Sequence, residues 1–287
     1  MERGNWIVVG SGRVGAALCR WLADAGLTPL AVVGRRRPLA LARRCGIANA
    51  WTTEDWQARL PGLAPASVLL AIPDDALAPL AARLAPARTQ WRGWTVLHTS
   101  GARDAGVLAP LARRGAAVGS LHPMMTFPRA ARPAPSPANL IFSFEGSPAA
   151  RRQAAALVLR WRGVPLQLPP RAKTAYHLAA TLVGPGAVVQ MAAARHILRR
   201  AGLRGRQLER ALAGLRSLLT VTASNLADGL EAAWTGPLAR GDRATLALHR
   251  RALRSPQLAR LYAALMAAGR ELLPSQLSKK ATPTSKT

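Results

Sequence analysis

The 287 residues are 49% hydrophobic and 18% charged, enough apolar surface to bury a large core and too much for a chain that stays unfolded. Lys and Arg total 40 against 13 acids, a formal net charge of +27, and all but four of the bases are Arg. These Arg are scattered singly or in pairs along helix-like segments, and aromatics make up only 5%, so a specific nucleic-acid surface is not expected.

The longest apolar stretches, 66–73 and 184–194, are too short or too interrupted for the roughly 20 residues of a membrane span. Residues 1–15 read as a strand and turn rather than a secretory leader. Cys19 and Cys45 lie in helix-like patterns and read as small buried hydrophobes in a reducing compartment. The expectation is a cytoplasmic protein with no membrane segment and no metal site.

In chain order, residues 5–10 (NWIVVG) predict a strand and 13–25 a helix. Residues 29–34 (PLAVVG), 67–73 (SVLLAIP), 94–98 (WTVLH) and 117–122 (AVGSLH) predict further strands. Each is nearly all apolar, which suits strands buried on both faces of a parallel sheet. With helical segments between them, the fold class is α/β: a doubly wound Rossmann domain followed by an all-α C-terminal domain. Residues 139–144 (NLIFSF) predict one more strand, after a Pro-rich loop at 128–137 that is expected to be mobile and to cover a cleft. Beyond Pro169 the strands stop, and 172–201, 207–230, 243–253 and 256–273 carry helical spacing. The Pro-Pro pair at 169–170 marks the boundary between domains 1–168 and 169–273, and the Lys-rich tail 274–287 is expected to be disordered. The helices of the second domain are apolar all round, which predicts pairing in a homodimer.

Gly10, Ser11, Gly12, Arg13, Val14 and Gly15 form a complete G-x-G-x-x-G between a predicted strand and a predicted helix, the context that makes the motif a dinucleotide site. Gly10 permits the tight turn, Gly12 lets backbone approach a diphosphate, and Gly15 lets the helix pack close to the sheet. The free N–H groups at the helix start favour phosphate. An acid after the second strand would hold the ribose hydroxyls of NAD. Here the chain reads Gly34-Arg35-Arg36-Arg37, so Arg35 and Arg36, with Arg37 beside them, are expected to take a 2′-phosphate, and NADP(H) is the predicted cofactor. Ile72 and Pro73 are expected to border the nicotinamide ribose, with Asp75 capping the next helix.

His98 and His122 each end a predicted strand, at the edge where Rossmann ligands lie. His122 is the acid/base candidate, because imidazole titrates near neutrality, whereas His98 is read as structural. Lys173 and His177 are four apart and share a helix face. Lys173 is also the one Lys before the tail, and Lys can release a proton where Arg cannot, which makes it a candidate acid or carboxylate anchor. Arg240 could bind a substrate carboxylate in a bidentate fashion, or bridge to Asp242.

The segments VVGSGRVGAAL (8–18), LLAIPDDAL (69–77), LHTSGA (97–102), VGSLHPMMTF (118–127), KTAYHLAA (173–180) and TGPLARGD (235–242) span nearly the whole chain. In that order they resemble a family of predicted oxidoreductases with a Rossmann-like domain followed by a helical domain of unknown function. That family is similar to the 6-phosphogluconate-type dehydrogenases, among them ketopantoate reductase, pyrroline-carboxylate reductase and prephenate dehydrogenase. The resemblance implies an NADPH-dependent oxidoreductase acting on a small 2-oxo acid or imine, ketopantoate-like, with His122 as acid/base and Ser100 as its hydrogen-bonding partner. Two departures stand out. Pro185 falls about where related sequences carry an Asn, where it is expected to kink the helix, and Trp234 replaces a smaller aliphatic residue. A non-catalytic NADP-binding sensor or scaffold therefore stays open beside the reductase.

Overall fold

The computed structural model describes residues 5–127 and 135–273. The expectations for the tail, and for residues 128–134 of the Pro-rich loop, lie outside the described residues. Eight strands form one sheet: β1 Trp6–Val9, β2 Ala31–Gly34, β3 Asn49–Thr52, β4 Ser67–Leu70, β5 Thr95–His98, β6 Ala117–Pro123, β7 Ile141–Gly146 and β8 Val164–Gln167. Their order is β3-β2-β1-β4-β5-β6-β7-β8. The first six are parallel to their neighbours, β7 runs antiparallel to β6, and β8 runs parallel to β7. The order reverses between β1 and β4, and the carboxyl ends of the strands flanking such a reversal are where a doubly wound sheet opens a crevice.

The central strands are short and wholly apolar because both of their faces are covered. On one face lie Leu18, Trp21 and Leu22 of α1 (Arg13–Asp24) with Leu157 of α6 (Pro148–Arg160) and Trp161 just beyond it. The rings of Trp21, Phe142 and Trp161 interlock there at centroid separations of 5.3–5.9 Å. On the other face lie Trp56 of α3 (Thr53–Arg59), Leu77 and Leu80 of α4 (Asp74–Leu84), and Trp91 and Trp94. Cys19 is buried in α1 and Cys45 is half-buried just after α2 (Leu39–Arg44); both are free thiols, and burial pushes Cys19 up to about 12. A short helix, α5 (Ala109–Ala112), leads into β6.

Two strands escape the sequence pattern. β3 (NAWT) buries only Trp51 fully, so its apolar signal is a single residue. β8 (VPLQ) is exposed throughout and contains Pro165. Val164 N–H donates to Leu140 O, and Leu168 N–H donates to Phe144 O. By strand alternation the nitrogen of Pro165 therefore points away from β7, toward the open side of the last described strand, where a missing donor breaks no ladder bond.

The chain divides into two compact units, residues 1–185 and 186–287. The division falls inside α7 (Lys173–Arg200), later than the Pro-Pro pair at 169–170. The helix runs unbroken through Pro185, although a proline removes one main-chain bond to the preceding turn. Read as one helix, Pro170–Arg200 has 31 residues and contains an 18-residue window of mean hydropathy 1.3, long and apolar enough by length and composition to cross a membrane. This corrects the shorter apolar stretch taken from the sequence.

The second unit also holds α8 (Gly205–Asn225), α9 (Leu230–Ala233), α10 (Arg243–Ala252) and α11 (Pro256–Leu272). Trp234 fits because Gly269 of α11 has no side chain: a Cβ there would lie 2.8 Å from Trp234 Cη2 and 3.0 Å from Leu238 Cδ2. Several large apolar side chains of this unit are exposed, among them Val188, Val189, Leu218 and Leu248.

Candidate functional site

The turn after β1 is shaped by its glycines. Gly10 has φ +108, a region open to glycine, and a Cβ there would collide with the Ala71 carbonyl. A Cβ on Gly15 would collide with the Gly10 carbonyl. At Gly12 a Cβ would meet nothing within 4 Å, so this residue is the open side of the turn. Gly12 is also the N-cap of α1, which has no side-chain cap and no acid in its first turn, leaving the first-turn N–H groups and the positive dipole end for an anion.

A cavity of about 720 Å³ opens here, lined among others by Gly10, Ser11, Gly12, Arg35, Ile72 and Pro73. Arg13 and Val14 are not part of that lining. The Arg13 guanidinium donates to Phe127 O at 2.9 Å, and Val14 packs against the core, so what these two residues offer an anion is their main-chain N–H groups in the first turn of α1. Arg35 and Arg36 are exposed after β2, but Arg37 is committed elsewhere: its Nε donates to Asp55 Oδ2 at 3.1 Å. Asp55 in turn closes a capping box with Thr52, bonding its main-chain N–H at 3.1 Å while Asp55 N–H bonds Thr52 Oγ1 at 3.0 Å. These bonds, the main-chain one first, hold the Asp55 carboxyl below the usual range. Two free guanidiniums, an acid-free strand end and a glycine cradle at a helix start suit a dinucleotide bearing an extra phosphate. Thr53 and Arg83 also line the cavity, and sequence reading missed both.

Beside this cavity, across the turn that follows β4, lies a second group of residues. Asp75 lines the cavity, whereas Asp74 Oδ2 accepts from Ser100 Oγ at 2.7 Å. Ser100 Oγ also accepts from the N–H groups of Ala102 (3.2 Å) and Arg103 (3.0 Å). Its hydrogen-bonding capacity is thereby used, which corrects the expectation that it partners His122. What Ser100 does offer is its carbonyl, which accepts from Lys173 Nζ at 2.9 Å.

His98 is fully buried, with Nδ1 accepting from Ser100 N–H (3.2 Å) and Nε2 facing Asp104 O at 3.1 Å. This bonding makes Nε2 the protonated nitrogen, and the ring pins the loop from 98 to 104. Burial takes it down to about 4, so its structural reading holds in geometry.

His122 is the last residue but one of β6, with its ring edge-on to Tyr176 (6.1 Å) and His177 (5.9 Å). Burial first, then the Lys173 charge, lowers it to about 4, which leaves it neutral at pH 7. Lys173, 1% exposed, is lowered to about 8 by burial, against the pull of the Glu145, Asp74 and Asp104 carboxyls. That value lets Lys173 release a proton closer to neutrality than an ordinary Lys does.

Gly101 is a site residue that sequence reading passed over. A Cβ there would lie 2.8 Å from His122 Nε2 and would collide with the His177 ring. Tyr176 and Asp74 were also missed, although the paired acids after β4 were a visible signal. Arg240 lies in the second unit, exposed, while Asp242 caps α10 by accepting from Thr245 N–H (3.0 Å) and Oγ1 (2.6 Å), so the bridge between them does not form.

Residues 2–123 match the Rossmann-like domain family, and residues 140–268 match the domain of unknown function DUF2520. No curated protein matches the chain. Among solved structures it is similar to protein BF3122 from Bacteroides fragilis, described as a candidate NADP oxidoreductase, with 22% identity, a TM-score of 0.75, and coverage of 94% of this chain and 99% of that one. It is similar to protein TM1727 from Thermotoga maritima, with 21% identity, a TM-score of 0.69, and coverage of 93% and 97%. It is also similar to a reductive aminase from Aspergillus terreus in complex with NADPH and ethyl-5-oxohexanoate, with 17% identity, a TM-score of 0.61, and coverage of 95% of both chains. At these identities the likeness is one of fold.

Proposed function

We propose that this chain, a Rossmann-like domain joined to DUF2520, is a cytoplasmic NADPH-dependent oxidoreductase that reduces the carbonyl or imine carbon of a small acid such as a ketopantoate-like 2-oxo acid. The observation that carries the reading is Lys173: an amine at the start of α7, buried against the carbonyl of Ser100 just past β5, whose hydroxyl bonds Asp74, the neighbour of the cavity-lining Asp75, and brought down to about 8. The structural likeness to an NADPH-bound reductive aminase supports it.

When bound, NADPH supplies hydride to the electrophilic carbon. Gly10–Gly12 and the start of α1 would cradle the diphosphate, and Arg35, which lines the cavity, with the exposed Arg36 beside it, would take the 2′-phosphate. Ile72 and Pro73, which line the same cavity, would border the nicotinamide ribose. Lys173 Nζ, held in place by the Ser100 carbonyl, protonates the substrate oxygen or nitrogen as negative charge develops there. His122, neutral, and His177 position the substrate by hydrogen bonds. The exposed apolar side chains of α7 and α8 support a homodimer.

The test is a titration with NADPH and NADH, then a panel of oxo acids and imines followed by NADPH oxidation. Replacing Arg35 and Arg36 together by Ala weakens NADPH at least about tenfold and NADH little. Equal loss for both removes the phosphate role. Tight NADPH binding with no oxidation across the panel favours the sensor, a reading that Pro185 in place of the family Asn supports.

A further inference from the structure

Five polar atoms are buried together with no hydrogen bond of full geometry among the described residues, Ser120 Oγ, His122 Nδ1, Ser143 Oγ, Glu145 Oε1 and Tyr176 OH, although Tyr176 OH and the Ser143 hydroxyl lie close enough to interact with each other. Strand register explains the grouping. On β6 and β7, Ser120 stands opposite Glu145 and His122 opposite Ser143. Directly opposed residues and those two apart share one sheet face, so all four project the same way. The Tyr176 ring stands edge-on to His122 above them, beside the Ser143 hydroxyl. Ser120 and Ser143 are fully buried, and Glu145 is 2% exposed. So many unsatisfied groups in one seam are not tolerated in a dry interior, and internal water is how native proteins satisfy them. Glu145 and His122 are diagonal neighbours, roughly 7–8 Å apart along the ladder, a gap that one or two waters span.

We propose that Glu145 is a positioning residue: a relay of internal water through Ser120 and Ser143 joins its carboxyl to His122 Nδ1 and holds the proton there, leaving Nε2 as the bare acceptor nitrogen facing Gly101 and His177. The hydroxyls can both donate and accept, so they can pass hydrogen bonds from the ring to a carboxyl oxygen, which accepts. The neutral state of His122 makes its tautomer a defined quantity near pH 7. The groups facing the ring are Lys173 and His177 of α7, Asp74 of α4 and His98 of β5, and no hydrogen bond joins any of them to Nδ1. The inference deepens the reductase reading, since a bare Nε2 accepts a hydrogen bond from the substrate hydroxyl or amine, but it can be tested without that reading.

The experiment is imidazole nitrogen NMR on the full chain with labelled histidine near pH 7, with the His122 signals assigned by their loss in His122→Asn. His98, fixed by its own bonds as the Nε2–H tautomer, serves as an internal contrast. The wild type shows His122 protonated on Nδ1. Glu145→Leu and Ser143→Ala each shift its tautomer ratio severalfold toward Nε2–H. Ser143→Ala removes a single oxygen and keeps the test alive if Glu145→Leu does not fold. An Nε2–H tautomer in the wild type, or an unchanged ratio in the variants that fold, overturns the proposal. Neither cofactor nor substrate is needed. A failed relay therefore leaves the reductase standing, and a confirmed relay in a protein that turns over no substrate removes only the reductase.

Discussion

Burial brings Lys173 from its ordinary 10.5 down to about 8, and this sets a pH limb. An acid must carry its proton, so turnover falls as pH rises through about 8, by up to tenfold per unit beyond it. Lys173→Met removes that limb and lowers turnover by about 100-fold or more, as steady-state rates across pH will show. Stability moves in the opposite sense. Between about 8 and 10.5 the unfolded chain binds more protons at this position than the folded one, so stability rises with pH in that window. Urea unfolding of Lys173→Met loses the rise. Gly101→Ala pushes both imidazoles aside, and a displacement of about 1 Å costs on the order of 100-fold in turnover, with NADPH affinity held near wild type. At this scale the place of His122 at a strand end and the helix face shared by Lys173 and His177 were legible from sequence, whereas the meeting of that helix start with the strand ends was not. The protonation states of His122 and Lys173 were not legible either, because these depend on the first turns of α7 closing over the ends of β5 and β6. Ser100 misled for a related reason: its partner Asp74 is 26 residues away, on the neighbouring strand end.

The cradle was legible at the level of elements, since a strand, a glycine turn and a helix start are contiguous in the chain. The assignment of Arg37 was not. Its carboxylate partner belongs to a capping box at the start of α3, and β3, which places that helix, is too short to announce itself. The same holds for Trp234, whose fit depends on Gly269, an element away in sequence. Gly269→Ala brings a methyl to 2.8 Å from the Trp234 ring and destabilises the second unit by about 1–3 kcal/mol, measured as a lower midpoint in denaturant.

For the molecule as a whole, the helical second half was visible in its period, whereas the place where the chain divides was not. A Pro-Pro pair is a stronger local signal than a single proline within a continuous helix, yet the compact unit reaches Pro185. Exposed Val188 and Val189 on α7 predict a dimer by light scattering, and replacing both by Glu yields a monomer; a monomeric wild type removes the dimer.

Pro165 bears on how copies of this chain avoid meeting. Val164 and Leu166, exposed at the outermost strand, would otherwise template cross-chain ladder growth of the kind that ends in aggregates. The imino acid between them withholds the one amide such growth would need at its centre. The protection of this edge against cross-chain pairing thus rests in part on a single pyrrolidine ring.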